Sequence, residues 1–102
     1  MIPSFWDDNE SYSVAQIRHS VEQIDCDTTY SNQVNNLISD IRFLQLYSES
    51  KGSDDILEMV DPMMETAKGL ANKEENKVFC SIKKKTLQKQ SALIADATME
   101  RF

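Results

Sequence analysis

Glycine and proline are nearly missing from this chain, with two of each in 102 residues. Strand-rich folds turn often, and tight turns consume those two residues. Their scarcity argues against a many-stranded fold and for a few long helices. Gly52 and Gly69 stand 17 positions apart, which excludes a phosphate-cradling glycine loop. Histidine occurs once, at His19. A zinc site of His and Cys ligands needs more ligands, better spaced, than His19, Cys26 and Cys80 supply. The Glu-x-x-His pair of dimetal helix bundles is absent. The run from Asp54 and Asp55 to Glu58 lacks the alternation, central glycine and closing glutamate of a calcium loop. A Cys–His nucleophile pair needs a third group to orient it, and none is marked. The expectation is a chain with no catalytic residues, no metal and no cofactor.

Long apolar runs are also lacking. Nothing approaches the roughly 20 residues that a membrane span requires. Met1 to Trp6 lead into Asp7 and Asp8 without the charged start and apolar stretch of a signal peptide. Two cysteines 54 positions apart, with no CxxC pair, are then expected to be reduced, and the protein to be cytoplasmic.

Lysine is missing from the first 50 residues, where only Arg18 and Arg42 are basic. Residues 1–76 carry 15 acidic and 5 basic side chains, a net of −10. Residues 77–102 carry 6 basic and 2 acidic, a net of +4. Oppositely charged halves attract within one molecule or between two.

What is present reads as helix. At this length the chain forms one domain with a modest core. Ser13 and Gln16 fit a capping box, and Val14, Ile17, Val21 and Ile24 follow on one helical stripe. Asp25 to Thr29 interrupt it. Tyr30, Val34, Leu37, Ile41, Leu44 and Ser48 then alternate spacings of four and three, a heptad seam that Ile38 and Leu46 widen. Gly52 can close that helix in the left-handed conformation, and Ser53 can cap the next. Ile56, Val60, Met63, Ala67 and Leu70 continue, with a restart expected at Asp61-Pro62 because an interior proline is costly. Asn72 and Glu75 offer a capping pair for the last helix. There, Phe79, Ile82, Thr86, Gln90, Leu93 and Ala97 lie near one line. Lys77, Lys84, Lys85 and Lys89 fall on the opposite arc, and Lys83 sits close to the apolar line.

The fold expected is all-α: a small three- or four-helix antiparallel bundle or helical hairpin assembly. Residues 1–10 form an arm, and helices span about 11–26, 29–51, 54–71 (broken at 61–62) and 73–100. The core comes from Val14, Ile17, Val21, Ile24, Val34, Leu37, Ile41, Leu44, Ile56, Val60, Phe79, Ile82 and Leu93. Partner-binding candidates are Phe5 and Trp6 on the arm, Met63 and Met64, read as core filler first and adaptable surface second, and Lys83, Lys84, Lys85 and Lys89 as a steering patch.

The function expected is non-enzymatic: an adaptor, chaperone-like protein or small complex subunit that works through helix–helix contacts, with a protein partner or itself. No small-molecule substrate is indicated. The alternative is an acidic mimic of nucleic acid that occupies a nucleic-acid-binding protein. It would need Asp7, Asp8, Glu10, Glu22, Asp25, Asp27, Asp54, Asp55, Glu58 and Asp61 in solvated rows. A third reading, direct nucleic-acid binding through Lys83 to Lys89, is opposed by the net charge of −6 and by the absence of interleaved aromatic residues.

Overall fold

The computed structural model describes residues 8–72 and 74–99. Four helices follow one another: α1 (Asp8–Gln23), α2 (Ser31–Lys51), α3 (Asp54–Ala71) and α4 (Lys77–Met99). α1 packs on α2, α2 on α3, α3 on α4, and α4 on α1, so short connections close an antiparallel ring.

Each helix turns a heptad seam inward. α1 buries Glu10, Val14, Ile17, Val21 and the following Ile24. α2, with Tyr30 before it, buries Val34, Leu37, Ile41, Leu44 and Ser48. α3 buries Ile56, Val60, Met63, Met64, Ala67 and Leu70. The alternating four-three spacing keeps each line facing the bundle axis over several turns. Removing these side chains from water supplies the main driving force, at roughly 1.5–3 kcal/mol for each large one.

The local signals at the helix ends are partly replaced by longer-range ones. α1 begins at Asp8, so Ser13 lies inside the helix, buried, and not at its cap. The α1–α2 turn is made by Asp25. Its side chain accepts from Asp27 N at 3.0 Å, and its carbonyl accepts from Thr28 N and Thr28 Oγ1 at 3.2 Å. α2 has no side-chain cap. Instead, Tyr30 N donates to the Glu75 carboxylate at 2.8 Å, and Tyr30 OH accepts from Asn76 N at 2.8 Å. At the far end of α2, Gly52 takes φ 70°. Gly52 N then reaches Glu49 O at 3.2 Å and Ser53 N reaches Ser48 O at 2.9 Å, the paired bonds of a Schellman closure. Ser53 precedes α3 without a side-chain cap bond, while Asp54 and Asp55 stand in the first turn, against the positive end of the helix.

Two further expectations are corrected. α3 runs through Pro62 unbroken. Pro62 is exposed, and so is Glu58, whose carbonyl loses the amide partner one turn later. Water can replace that partner, while buried Val60, Met63, Met64 and Ala67 hold both sides of the proline in register. The cap of α4 is Asn76, not the Asn72–Glu75 pair. Asn76 Oδ1 accepts from Phe79 N at 2.9 Å, and Asn76 O accepts from Cys80 N at 2.8 Å.

The largest correction is the rotation of α4. Its inward line is Cys80, Lys84, Leu87, Ser91, Ile94 and Thr98, of which all but the half-buried Lys84 are buried. Ile82 and Leu93, expected in the core, are 57% and 61% exposed, and Phe79 is half-buried. The helix is turned by one residue, or about 100°, from the expected setting.

Candidate functional site

The rotation of α4 is held at the end of the bundle where α1 stops. Cys26 and Cys80 form a disulfide with Cα atoms 5.6 Å apart, and Cys80 is fully buried. The expected reduced pair is therefore corrected. Distance along the chain hid it, because α4 returns antiparallel to the end of α1 and brings together residues 54 apart. One turn further on, Lys84 reaches inward. Its Nζ donates to Ile24 O at 2.7 Å and lies 3.4 Å from Glu22 O. These are carbonyls at the end of α1, where no amide of the same helix follows and the dipole favours positive charge. Gln88 Nε2 donates to the Glu22 carboxylate at 2.9 Å. Lys77 Nζ and Asp27 Oδ1 are 2.6 Å apart on the surface. The Asp27 hydrogen bond, and then its charge, hold the Lys77 ammonium above the ordinary lysine value.

These contacts decide what α4 shows to solvent. Val78, Ile82, Lys85, Lys89 and Leu93 are all exposed along its outer side. Three of them are large apolar side chains. Lys85 and Lys89 make no ion pair among the described residues. Lys83 is half-buried, with its ammonium 5.3 Å from the centre of the Phe79 ring, a cation–π contact. The lysine cluster is thus divided among three roles. Lys84 is structural, Lys83 covers a ring, and only Lys85 and Lys89 project freely.

The other candidates are placed differently. Phe5 and Trp6 lie outside the described residues. Met63 and Met64 are buried and fill the core, so neither offers a binding surface. Met63 falls on the inward stripe of α3 read from its spacing, and Met64 beside it. His19 is exposed on α1. Among the described residues no three His, Cys, Asp or Glu side chains gather as metal ligands would, and no helix is long and apolar enough to cross a membrane.

One surface escaped the sequence reading. Tyr12 and Phe43 are exposed on α1 and α2, as is Leu46, expected to widen the buried seam, and the Phe43 ring stacks on Tyr47 with centroids 6.3 Å apart. Asn9, Tyr12, Ser13, Gln16, Asp40 and Phe43 line an open groove between the two helices. Phe43 falls outside the α2 seam, and its exposure could be inferred only once the seam was accepted as the full buried width.

The carboxylates named for the acidic mimic do not share one face, and Asp7 lies outside the described residues. Asp54, Asp55, Glu58, Asp61 and Glu65 are exposed along α3, whereas Glu22, Asp25 and Asp27 stand near Lys77 and Lys84. Glu10 is buried. No protein-family model, curated protein or solved structure matches the chain.

Proposed function

We propose that this protein is a non-enzymatic interaction module, an adaptor, chaperone-like protein or small subunit that binds another protein through helix–helix contacts. One observation carries the reading: the exposed apolar residues Val78, Ile82 and Leu93 share the outer side of α4 with Lys85 and Lys89. Large apolar side chains aligned on a helix pinned from behind by a disulfide form a stiff, ready surface. A stiff surface loses little conformational freedom on binding. The disulfide also bears on location. Such bonds persist in oxidising compartments, so we place the protein in one of these and not in the cytoplasm, where the cysteine spacing first pointed.

The test is affinity capture from the source cells with the oxidised wild type and with an Ile82→Asp/Leu93→Asp variant. The reading expects a protein retained by the first and lost by the second, with helix content equal. Equal capture by both would overturn this surface as the site.

The row of carboxylates along α3 favours a second reading, the acidic mimic. That reading expects the protein to displace nucleic acid from a basic binding protein, and the displacement to fade with added salt. Direct nucleic-acid binding loses support, because Lys84 is engaged with the end of α1.

A further inference from the structure

We propose that the face shared by α3 and α4 binds a second copy of this chain. The dimer is two-fold, and Lys89 of each copy meets Glu58 of the other. The inference rests on the interaction-module reading and names its partner.

The contacts of α4 and α3 with their other neighbours define this face. Lys84 and Gln88 of α4 reach the α1 side, through Ile24 and Glu22. Asp61 of α3 reaches the α2 side, accepting from Gln45 at 2.9 Å. At 100° per residue, the face between the two helices then holds Glu58 and Pro62 from α3, whereas Glu65 lines the α2 side with Arg42 and Gln45. From α4 it holds Ile82, Lys89 and Leu93, with Lys83 beside them. Glu58, Lys89, Ile82 and Leu93 are exposed. Inside one chain neither Lys83 nor Lys89 pairs with a carboxylate among the described residues.

The levels of these charges match. α3 and α4 run antiparallel from a common turn, and a helix rises about 1.5 Å per residue. Glu58 lies ~20 Å before the end of α3, and Lys89 lies ~18 Å after the start of α4. A two-fold axis parallel to the helices sets α4 of one copy against α3 of the other and preserves each level. Lys89 of each copy then faces Glu58 across the interface, with Ile82 and Leu93 on either side of that level along α4. An isologous contact of this kind closes on itself and stops at two copies.

The area suffices. α4 has 23 residues, or about 34 Å of length, and the bundle is 19 Å wide. A face of that size removes about 650 Å² from each copy and about 1,300 Å² in total, within the range of specific interfaces.

The test is sedimentation equilibrium of the oxidised full chain across a concentration and salt series. The wild type is expected to dimerise, less tightly as salt rises. Lys89→Glu and Glu58→Lys are each expected to weaken the dimer by about tenfold or more, because each places like charges opposite one another twice. An equimolar mixture of the two variants should recover near wild-type association, since each reversed charge then meets its opposite. Both positions are exposed, so circular dichroism should show unchanged helix content. A wild type that stays monomeric throughout overturns the dimer, as do variants that associate like the wild type or a mixture that stays apart. A monomer that still captures another protein through Ile82 and Leu93 would overturn the dimer alone and leave the interaction-module reading standing.

Discussion

The ammonium of Lys84 on α4 donates to the carbonyl of Ile24 at 2.7 Å, just past the end of α1. A residue whose type suggests the solvated surface thus closes a helix that begins 76 positions earlier in the chain. The stem of Lys84 takes a position in the inward line of α4, between Cys80 and Leu87. The charge emerges where orphan carbonyls and the negative end of α1 receive it.

This geometry separates two neighbouring lysines. Lys84→Met keeps the stem and removes the donor, so it should cost about 1.5–3 kcal/mol, the range for a hydrogen bond from a charged group. Lys85→Met removes an exposed charge with no ion-pair partner among the described residues and should stay within about 0.5 kcal/mol. Urea unfolding of the two variants checks the difference. Equal effects would place Lys84 on the outer arc that its spacing first suggested.

The rotation of α4 makes a second paired prediction. Leu87 is fully buried and Leu93 is 61% exposed. Leu87→Ala should cost about 2–5 kcal/mol, through lost transfer energy and a cavity. Leu93→Ala should change stability by about 0.5 kcal/mol or less. Thermal or denaturant unfolding would reverse this order if α4 faced the core with the line of Ile82 and Leu93.

The disulfide is directly measurable. Thiol titration of the unfolded but unreduced protein should find no free cysteine, and reduction should add two hydrogens to the intact mass. Cross-linking residues 54 apart restricts the unfolded chain, so reduction should lower stability by about 2–4 kcal/mol. Free thiols in the native, air-equilibrated protein would contradict the bridge.

Pro62 offers a gain. It stands inside a continuous α3 and is exposed, so Pro62→Ala restores an amide donor without entering the core. An interior proline costs about 3 kcal/mol against alanine, and the stiffness that proline lends the unfolded chain offsets about 1 kcal/mol of that. The variant should therefore be more stable by about 2 kcal/mol in chemical unfolding. A loss of stability would mean that the helix depends on the kink-tolerant geometry around Pro62.

The first three helices were legible because their apolar residues recur on a single line each. Val14 to Ile24, Val34 to Leu44 and Ile56 to Leu70 leave no competing arc of comparable strength. In α4 two lines compete. The line that is buried contains Lys84, Ser91 and Thr98, while the other contains Phe79, Ile82 and Leu93. Counting apolar residues favours the second line. The bond from Cys80 to Cys26 and the reach of Lys84 to Ile24 select the first, and turning α4 by one residue would break both. Of the partner-binding candidates, Lys85 and Lys89 remain free on the surface. Met63 and Met64 went to the core, where the α3 stripe already placed Met63.

The sequence by itself determined that the chain is helical, where most of its turns fall, and which side of α1, α2 and α3 points inward. These properties follow from spacings of three and four residues and from Gly52, all of which act locally. Only the tertiary structure decided the setting of α4, the pairing of Cys26 with Cys80 and the inward turn of Lys84. It thereby also decided that Ile82, Leu93 and Lys89 form the outer surface. Each of these depends on the antiparallel return of α4 to the end of α1, a contact between distant segments that no local spacing encodes.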